Sequence, residues 1–299
     1  MQIAWAPIYV HPLPDGHRFP MLKYELLPKQ LLHEGIVSES QIFAPMDMDI
    51  SIIRTIHTEE YIASLKNGSI TKNAMRKIGF PYSYSVYIRE LCITYGSIQA
   101  ALLAIKYGIA FNIAGGTHHA YAASGEGFCI FNDIAVTSKY LLDNRLANSI
   151  LVIDLDVHQG NGTAKIFENE NRVFTFSMHG QNNYPSPKEK SDLDIGLADG
   201  TTDEIYLQEL KSSLTFFKSK PNPDFLIFQT GVDILATDKL GKLSISMDGL
   251  KQRNEMVLNY AYLLKIPILC VMGGGYSEEI SVILNAHAQL FRTASNLYD

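Results

Sequence analysis

The chain has 299 residues, 46% hydrophobic and 19% charged, with a formal net charge of −6. That length and apolar content supply a sizeable core and exclude a disordered chain. The acidic balance, with no block of Lys or Arg, argues against a constitutive nucleic-acid binder; a mildly acidic surface suits a cationic partner such as a lysine-bearing peptide or a polyamine.

In chain order, the apolar run at residues 2–9 predicts a first strand. Residues 86–107 carry Leu91, Tyr95, Ile98, Leu102 and Ile105 at helical spacing, and a strand is expected at 110–114. Strands follow at 149–155 and 172–177, then a helix at 203–218 marked by Ile205, Leu210, Leu214 and Phe217. A strand at 225–230, a helix at 247–264 and a strand at 267–272 precede a last helix beginning at Ser277, with Ser277 as its cap and an acidic first turn. Strand–helix alternation implies an α/β fold with a mainly parallel central sheet and helices on both faces. No Pro, Gly or Ser linker interrupts it, so one domain is expected over residues 1–299.

Cys92, Cys129 and Cys270 lie in apolar surroundings without C-x-x-C spacing and read as reduced core thiols. The N-terminus has no basic segment and soon meets Pro7, Pro12 and Pro14, unlike a signal peptide. No apolar run in the sequence approaches the roughly 20 residues that span a bilayer. The expected location is cytoplasmic.

In parallel α/β sheets, ligands bind outside the carboxyl ends of the strands. Four strand ends deliver polar residues there. They are Gly115-Gly116-Thr117-His118-His119, Asp156-Val157-His158-Gln159-Gly160-Asn161-Gly162, Gly231-Val232-Asp233 and Gly273-Gly274-Gly275-Tyr276. If the strand at 149–155 continues, Asp154, Asp156 and His158 share one face. Two carboxylates and an imidazole converging at a buried strand end are costly in a core unless they hold a cation. Asp156, His158 and Asp233 form an O,N,O set with a fourth position open, as catalytic zinc requires. The other reading of these three is independent capping or hydrogen-bonding residues.

Adjacent imidazoles on the same edge suit proton transfer near neutral pH, although a lone histidine is more often a core residue. Their orienting partners are expected to be Asp154 and Asn161, one anionic and one neutral, which makes one imidazole easier to protonate than the other. Tyr276, after a glycine turn, is a candidate donor to a developing oxyanion rather than a plain surface tyrosine. Neither dinucleotide nor P-loop glycine spacing is present.

These residues resemble the zinc-dependent histone deacetylase family, of the arginase–deacetylase fold. The likeness runs through His57-Thr58-Glu59-Glu60-Tyr61-Ile62, Gly115 to Ala120, Ser124 to Asp133, Asp154 to Gly162, Gly231 to Gly241 and Gly273 to Tyr276. The segment Gly16 to Tyr24 and Gln159-Gly160-Asn161 are similar to class IV enzymes and their bacterial relatives. The resemblance implies zinc on Asp156, His158 and Asp233, and tandem His118 and His119 backed by Asp154 and Asn161. It implies Tyr276 as oxyanion donor, and Gly127, Phe128 and Tyr184 along an acyl-lysine tunnel. It further implies a potassium ion held by the Asp154 side chain, the backbone carbonyls of Asp156, His158 and Met178, and the Ser177 hydroxyl. Asn161 stands where class I enzymes have aspartate, which lowers the basicity expected of His119. The activity implied is hydrolysis of an acetyl or longer acyl group from the lysine amine of proteins or peptides. The same fold admits an acetylpolyamine or other small-amide hydrolase, which calls for an acidic, narrowed mouth. A two-manganese ureohydrolase requires a D-x-D spacing that Asp233 to Asp238 lacks, and a silent acyl-lysine reader has no need of the full zinc, histidine and tyrosine set.

Overall fold

The computed structural model describes residues 1–298. Its strands are β1 (Gln2–Ala4), β2 (Ile42–Phe43), β3 (Ile109–Asn112), β4 (Ile150–Asp154), β5 (Val173–Gly180), β6 (Leu193–Leu197), β7 (Phe225–Gln229) and β8 (Ile268–Val271). They form one eight-stranded sheet in the order β2-β1-β3-β8-β7-β4-β5-β6. Every pairing is parallel. The helices are α1 (Lys23–His33), α2 (Glu59–Asn67), α3 (Lys72–Ile78), α4 (Tyr84–Tyr107), α5 (Asp133–Asp143), α6 (Asn161–Phe167), α7 (Asp203–Lys218), α8 (Met247–Leu264) and α9 (Ile280–Tyr298).

Alternation along the central strands divides the core. Ile150 and Val152 of β4, with Ile227 of β7, pack on one face beside Ala100, Ala104 and Ile134 of α4 and α5. Leu151 and Ile153, with Leu226 and Phe228, join the larger cluster on the other face with Leu258 of α8 and Phe291 of α9. Strands covered on both sides need near-continuous apolar runs, which is why these were readable in the sequence. Each fully buried Leu, Ile or Phe contributes about 1.5–3 kcal/mol, so the paired layers fix the register of the strand ends.

Expectation and structure differ at the margins. The first strand stops at Ala4, and Pro7–Tyr9 forms a 3-10 turn, because Pro7 has no N–H for a ladder. β2 is two residues long, and β6 has exposed alternate residues, so neither carried a strong apolar signal. The last helix starts at Ile280 rather than Ser277: the Ser277 hydroxyl lies 2.9 Å from that of Thr237, and Ser277 bridges to Asp238. α4 is long and apolar enough to cross a membrane by length and composition alone, but 61% of its most apolar stretch is buried in the fold. It is a core helix against β3 and α5, started by the Ser83 hydroxyl on the Val86 N–H and ended at Gly108 with φ +86°.

β3, β8, β7 and β4 are neighbours in the sheet. The four polar loops that follow them therefore meet at one edge.

Candidate active site

β4 ends at Asp154, so Asp154, Asp156 and His158 do not share a strand face; Asp156 and His158 lie on the loop beyond it. Asp154 turns toward the histidine pair, while Asp156 and His158 meet Asp233 from the loop after β7. All three members of that cluster are buried, with ligating atoms within 4.8 Å of one another. His158 Nδ1 lies 3.1 Å from Asp156 Oδ1 and 3.1 Å from Asp233 Oδ2. The carboxylates are fixed by donors of their own. Gln229 Nε2 and the Gly274 N–H donate to Asp156 Oδ2 at 3.0 and 2.9 Å, and the Val157 N–H donates to Asp233 Oδ1 at 3.0 Å. A Cβ at position 274 would lie 2.1 Å from Asp233 Oδ2, so only glycine lets that loop approach.

Burial and the charge on Asp156 push the Asp233 carboxyl up to about 7. Burial opposes protonation of His158, but Asp156 and Asp233 outweigh it and raise that imidazole to about 10. Two buried carboxylates converging on one imidazole are thus under strain that a divalent cation relieves. An O,N,O donor set with an open side is the composition zinc takes in catalytic sites, and these residues fit it.

His118 and His119 follow β3, their rings tilted at 46° with centroids 4.1 Å apart. His118 Nδ1 meets Asp154 Oδ2 at 2.6 Å, and His119 Nδ1 meets Asn161 Oδ1 at 2.6 Å. The Asn161 amide nitrogen donates to Glu126 Oε1 at 2.7 Å and to the Tyr121 hydroxyl at 2.9 Å. Those two acceptors fix the amide orientation, so its oxygen faces His119, and His119 Nδ1 must carry the proton it donates. Nε2 is left as an acceptor. Burial lowers both imidazoles, yet the Asp154 and Asp156 charges bring His118 up to about 9. Burial, then the positive charges of His118 and His158, hold His119 well below its ordinary value. The two rings have opposite proton affinities.

Over this floor stands a channel. Phe128, in the left-handed region at φ 66°, is held by its own N–H on the Ile78 carbonyl and by the Gly127 N–H on the Lys77 carbonyl. A Cβ on Gly127 would lie 2.6 Å from His119 Cδ2. Tyr184 stands edge-on to His119, centroids 5.0 Å apart, and is 43% exposed, a position on the channel's outer wall. The Tyr276 ring lies 6.0 Å from that of Phe128, and burial pushes its phenol well above the ordinary value, which keeps it a neutral donor. The outer cavity measures about 270 Å³, and a smaller one of about 40 Å³ continues at its base past Tyr24, Arg89 and Gly273.

A histone deacetylase domain pattern matches residues 17–291. The chain belongs to the histone deacetylase family. It is 42% identical to an uncharacterized protein of Picosynechococcus sp., over 99% of both chains. It is 31% identical to Histone deacetylase 2 of Arabidopsis thaliana, covering 90% of this chain and 72% of that one. An HDAC homolog from Aquifex aeolicus superposes with a TM-score of 0.85 at 25% identity, over 99% of this chain and 84% of that one. The fold is that of arginase–deacetylase enzymes, and the family assignment makes the chain a deacetylase-type hydrolase of a zinc-dependent family whose substrates are acetylated lysines.

Several supporting residues escaped the sequence reading. Gln229 orders both Asp156 and the Gly231 N–H, at 3.0 and 2.8 Å; a glutamine closing an apolar strand was the signal. Asp133, buried at the start of α5, accepts from the Gly116 and Thr117 N–H groups and so shapes the turn that presents the histidines. Asp238 accepts the Tyr276 N–H at 2.6 Å. Arg253, fully buried on α8, donates to the carbonyls of Gly231 and Thr230 at 2.6 and 3.1 Å, just before Asp233. Nothing in the helical period of 247–264 distinguished it from a surface arginine. Asp154 and Ser177 are partners across β4 and β5, with Met178 fully buried next in chain.

Proposed function

We propose that this protein hydrolyses the amide of Nε-acyl-lysine in proteins or peptides, with zinc held by Asp156, His158 and Asp233. The observation that carries the reading is the meeting of that buried cluster with an oppositely tuned histidine pair at the foot of an aromatic-walled channel. Gly127, Phe128 and Tyr184 flank a passage suited to a lysine's methylene chain, and Tyr276 reaches toward its floor.

When bound, zinc supplies a Lewis acid that polarises the amide carbonyl and makes water more acidic. His119 Nε2 takes the proton of the attacking water as the oxygen adds to the carbonyl carbon. Asn161 keeps that ring in the tautomer able to accept. The Tyr276 hydroxyl donates to the oxyanion of the tetrahedral species, a contribution of roughly 3 kcal/mol for comparable donors. The C–N bond then breaks as His119 returns the proton to the departing lysine amine, leaving a carboxylate and a free lysine. His118, paired with Asp154 and charged at neutral pH, sets the positive field beside the reacting carbonyl.

The inner cavity is small, about 40 Å³, which favours acetyl over long acyl chains. A potassium ion held by the Asp154 carboxylate, the Ser177 hydroxyl and the carbonyls of Asp156, His158 and Met178 is part of the same proposal. Its support is the adjacency of Asp154 and Ser177 across the two strands. An acetylpolyamine reading finds no support, since no carboxylate lines the outer cavity.

The test is a panel of acetyl-, hexanoyl- and long-chain-acyl-lysine peptides with acetylpolyamines, with metal content measured on the same sample. Zinc-dependent turnover led by acetyl-lysine peptides is expected. Turnover confined to acetylpolyamines, or surviving zinc removal, overturns the reading.

A further inference from the structure

The net charge of the chain is −6, yet the charged groups lining the outer cavity, apart from His119 and His158, are Arg18, Lys77 and Lys242. They come from three separate segments: the stretch before α1, the end of α3, and the loop after β7. All three are exposed. None forms a salt bridge among the described residues. The Arg18 guanidinium sits 5.0 Å from the Phe128 ring centroid, which places it on the channel lip. The Lys77 carbonyl accepts the Gly127 N–H at 3.0 Å, and Lys242 Nζ donates to the Asn182 carbonyl at 2.9 Å.

Two carboxylates stand behind residues of this mouth without lining the cavity itself: Glu126 takes the Asn161 amide at 2.7 Å, and Asp238 takes the Tyr276, Leu240 and Gly241 N–H groups. A whole-chain charge is a sum over the surface, whereas a substrate meets the local field. The lining charges of the outer cavity are opposite in sign to the net charge of the chain.

We propose that Arg18, Lys77 and Lys242 form a substrate-selecting ring that favours acyl-lysines flanked by acidic side chains and disfavours those in basic segments. The inference rests on the acyl-lysine hydrolase reading and adds its substrate class. Exposed charge contacts are individually weak and screened by salt, so the effect appears in KM and kcat/KM and fades with ionic strength.

The experiment compares capped peptides with a central acetyl-lysine flanked by Glu, Ala or Lys, on zinc-loaded wild-type protein and on the Arg18→Gln/Lys77→Gln/Lys242→Gln variant. The Glu-flanked peptide is expected to exceed the Lys-flanked one by about 10-fold or more in kcat/KM at low salt. That ratio should collapse toward one in the triple variant and at high salt. Because it is a ratio on one protein sample, partial misfolding does not mimic the result. Preference for the Lys-flanked peptide, or an acidic preference that survives the triple substitution, overturns the proposal. Free Nε-acetyl-lysine, turned over as well as the Glu-flanked peptide, assigns the ring to the substrate's own carboxylate and overturns the peptide form. Fluorescence anisotropy of the Glu- and Lys-flanked peptides on zinc-loaded Tyr276→Phe protein separates the two readings. Charge-dependent binding without hydrolysis by the wild type retains the ring and removes the hydrolase, and hydrolysis without charge preference does the reverse.

Discussion

The amide of Asn161 donates to the Glu126 carboxylate at 2.7 Å with its nitrogen while its oxygen accepts from His119 at 2.6 Å. A neutral group thus stands between the imidazole and the Glu126 carboxylate. Orientation reaches His119 through the amide, but the full charge does not.

Replacing Asn161 with Asp puts two carboxylates in hydrogen-bond contact, where they share a proton, so the single variant feels the new charge only in part. The Asn161→Asp/Glu126→Gln double variant isolates it. The proposed base works unprotonated, and activity falls as pH drops through its pKa. A raised pKa therefore moves the acidic limb of kcat/KM to higher pH, by about one unit in the double variant and less in the single one. The pH profile of zinc-loaded protein checks this. No upward shift in the double variant reassigns the base to His118.

Metal content should follow Asp156 and Asp233. Asp156→Ala or Asp233→Ala removes one of three protein ligands, and stoichiometric zinc should be lost on dialysis, as read by elemental analysis. Asp156 also accepts from Gln229 and Gly274, so its loss should lower stability as well. A variant retaining zinc and full turnover shows that the set is wrong.

Tyr276 has a sharper separation of effects. Tyr276→Phe keeps the aromatic contacts with Phe19 and Phe128 and should keep zinc and fold. Turnover should fall about 100-fold or more, as for one oxyanion donor. A change confined to KM makes the hydroxyl a binding group only.

Gly127→Ala drives a methyl into the His119 ring and forces a non-glycine residue to φ +55°. Activity should drop by at least about 10-fold through His119 displacement, with the melting temperature reduced modestly. Wild-type turnover in this variant shows that His119 can move without penalty.

Arg253 is the stability test. Arg253→Met leaves the Gly231 and Thr230 carbonyls without their donor in the core, a cost of about 3 kcal/mol or more in chemical denaturation. Zinc affinity should weaken in parallel, because those carbonyls lead directly into Asp233.

Much of this was legible in the chain. The buried strands announced themselves as apolar runs, and the residues after them, His118, His119, Asp156, His158, Asp233 and Tyr276, fall where the sequence placed them. The weak edge strands β2 and β6 and the true start of α9 did not show, since exposed positions dilute a two-residue period and a serine near a helix start has other uses. Asp133 and Arg253 did not show as supports because a buried polar residue looks like a surface one until its partners are known, and only the place of Gln229 at the end of an apolar strand hinted at its role.

The sequence by itself determined the class of fold and the inventory of its chemistry, because both follow from local pattern: burial on two faces and polar residues at strand ends. Tertiary structure decided the division of labour. Asp154 meets His118 as expected, but Asp156 and His158 leave its line, since β4 ends at Asp154 and the loop turns. Glu126 reaches Asn161, and Arg18, Lys77 and Lys242 come together around one mouth, across separations that no periodicity connects. Such contacts depend on how elements pack, and packing is set by the sum of many buried side chains rather than by any one segment.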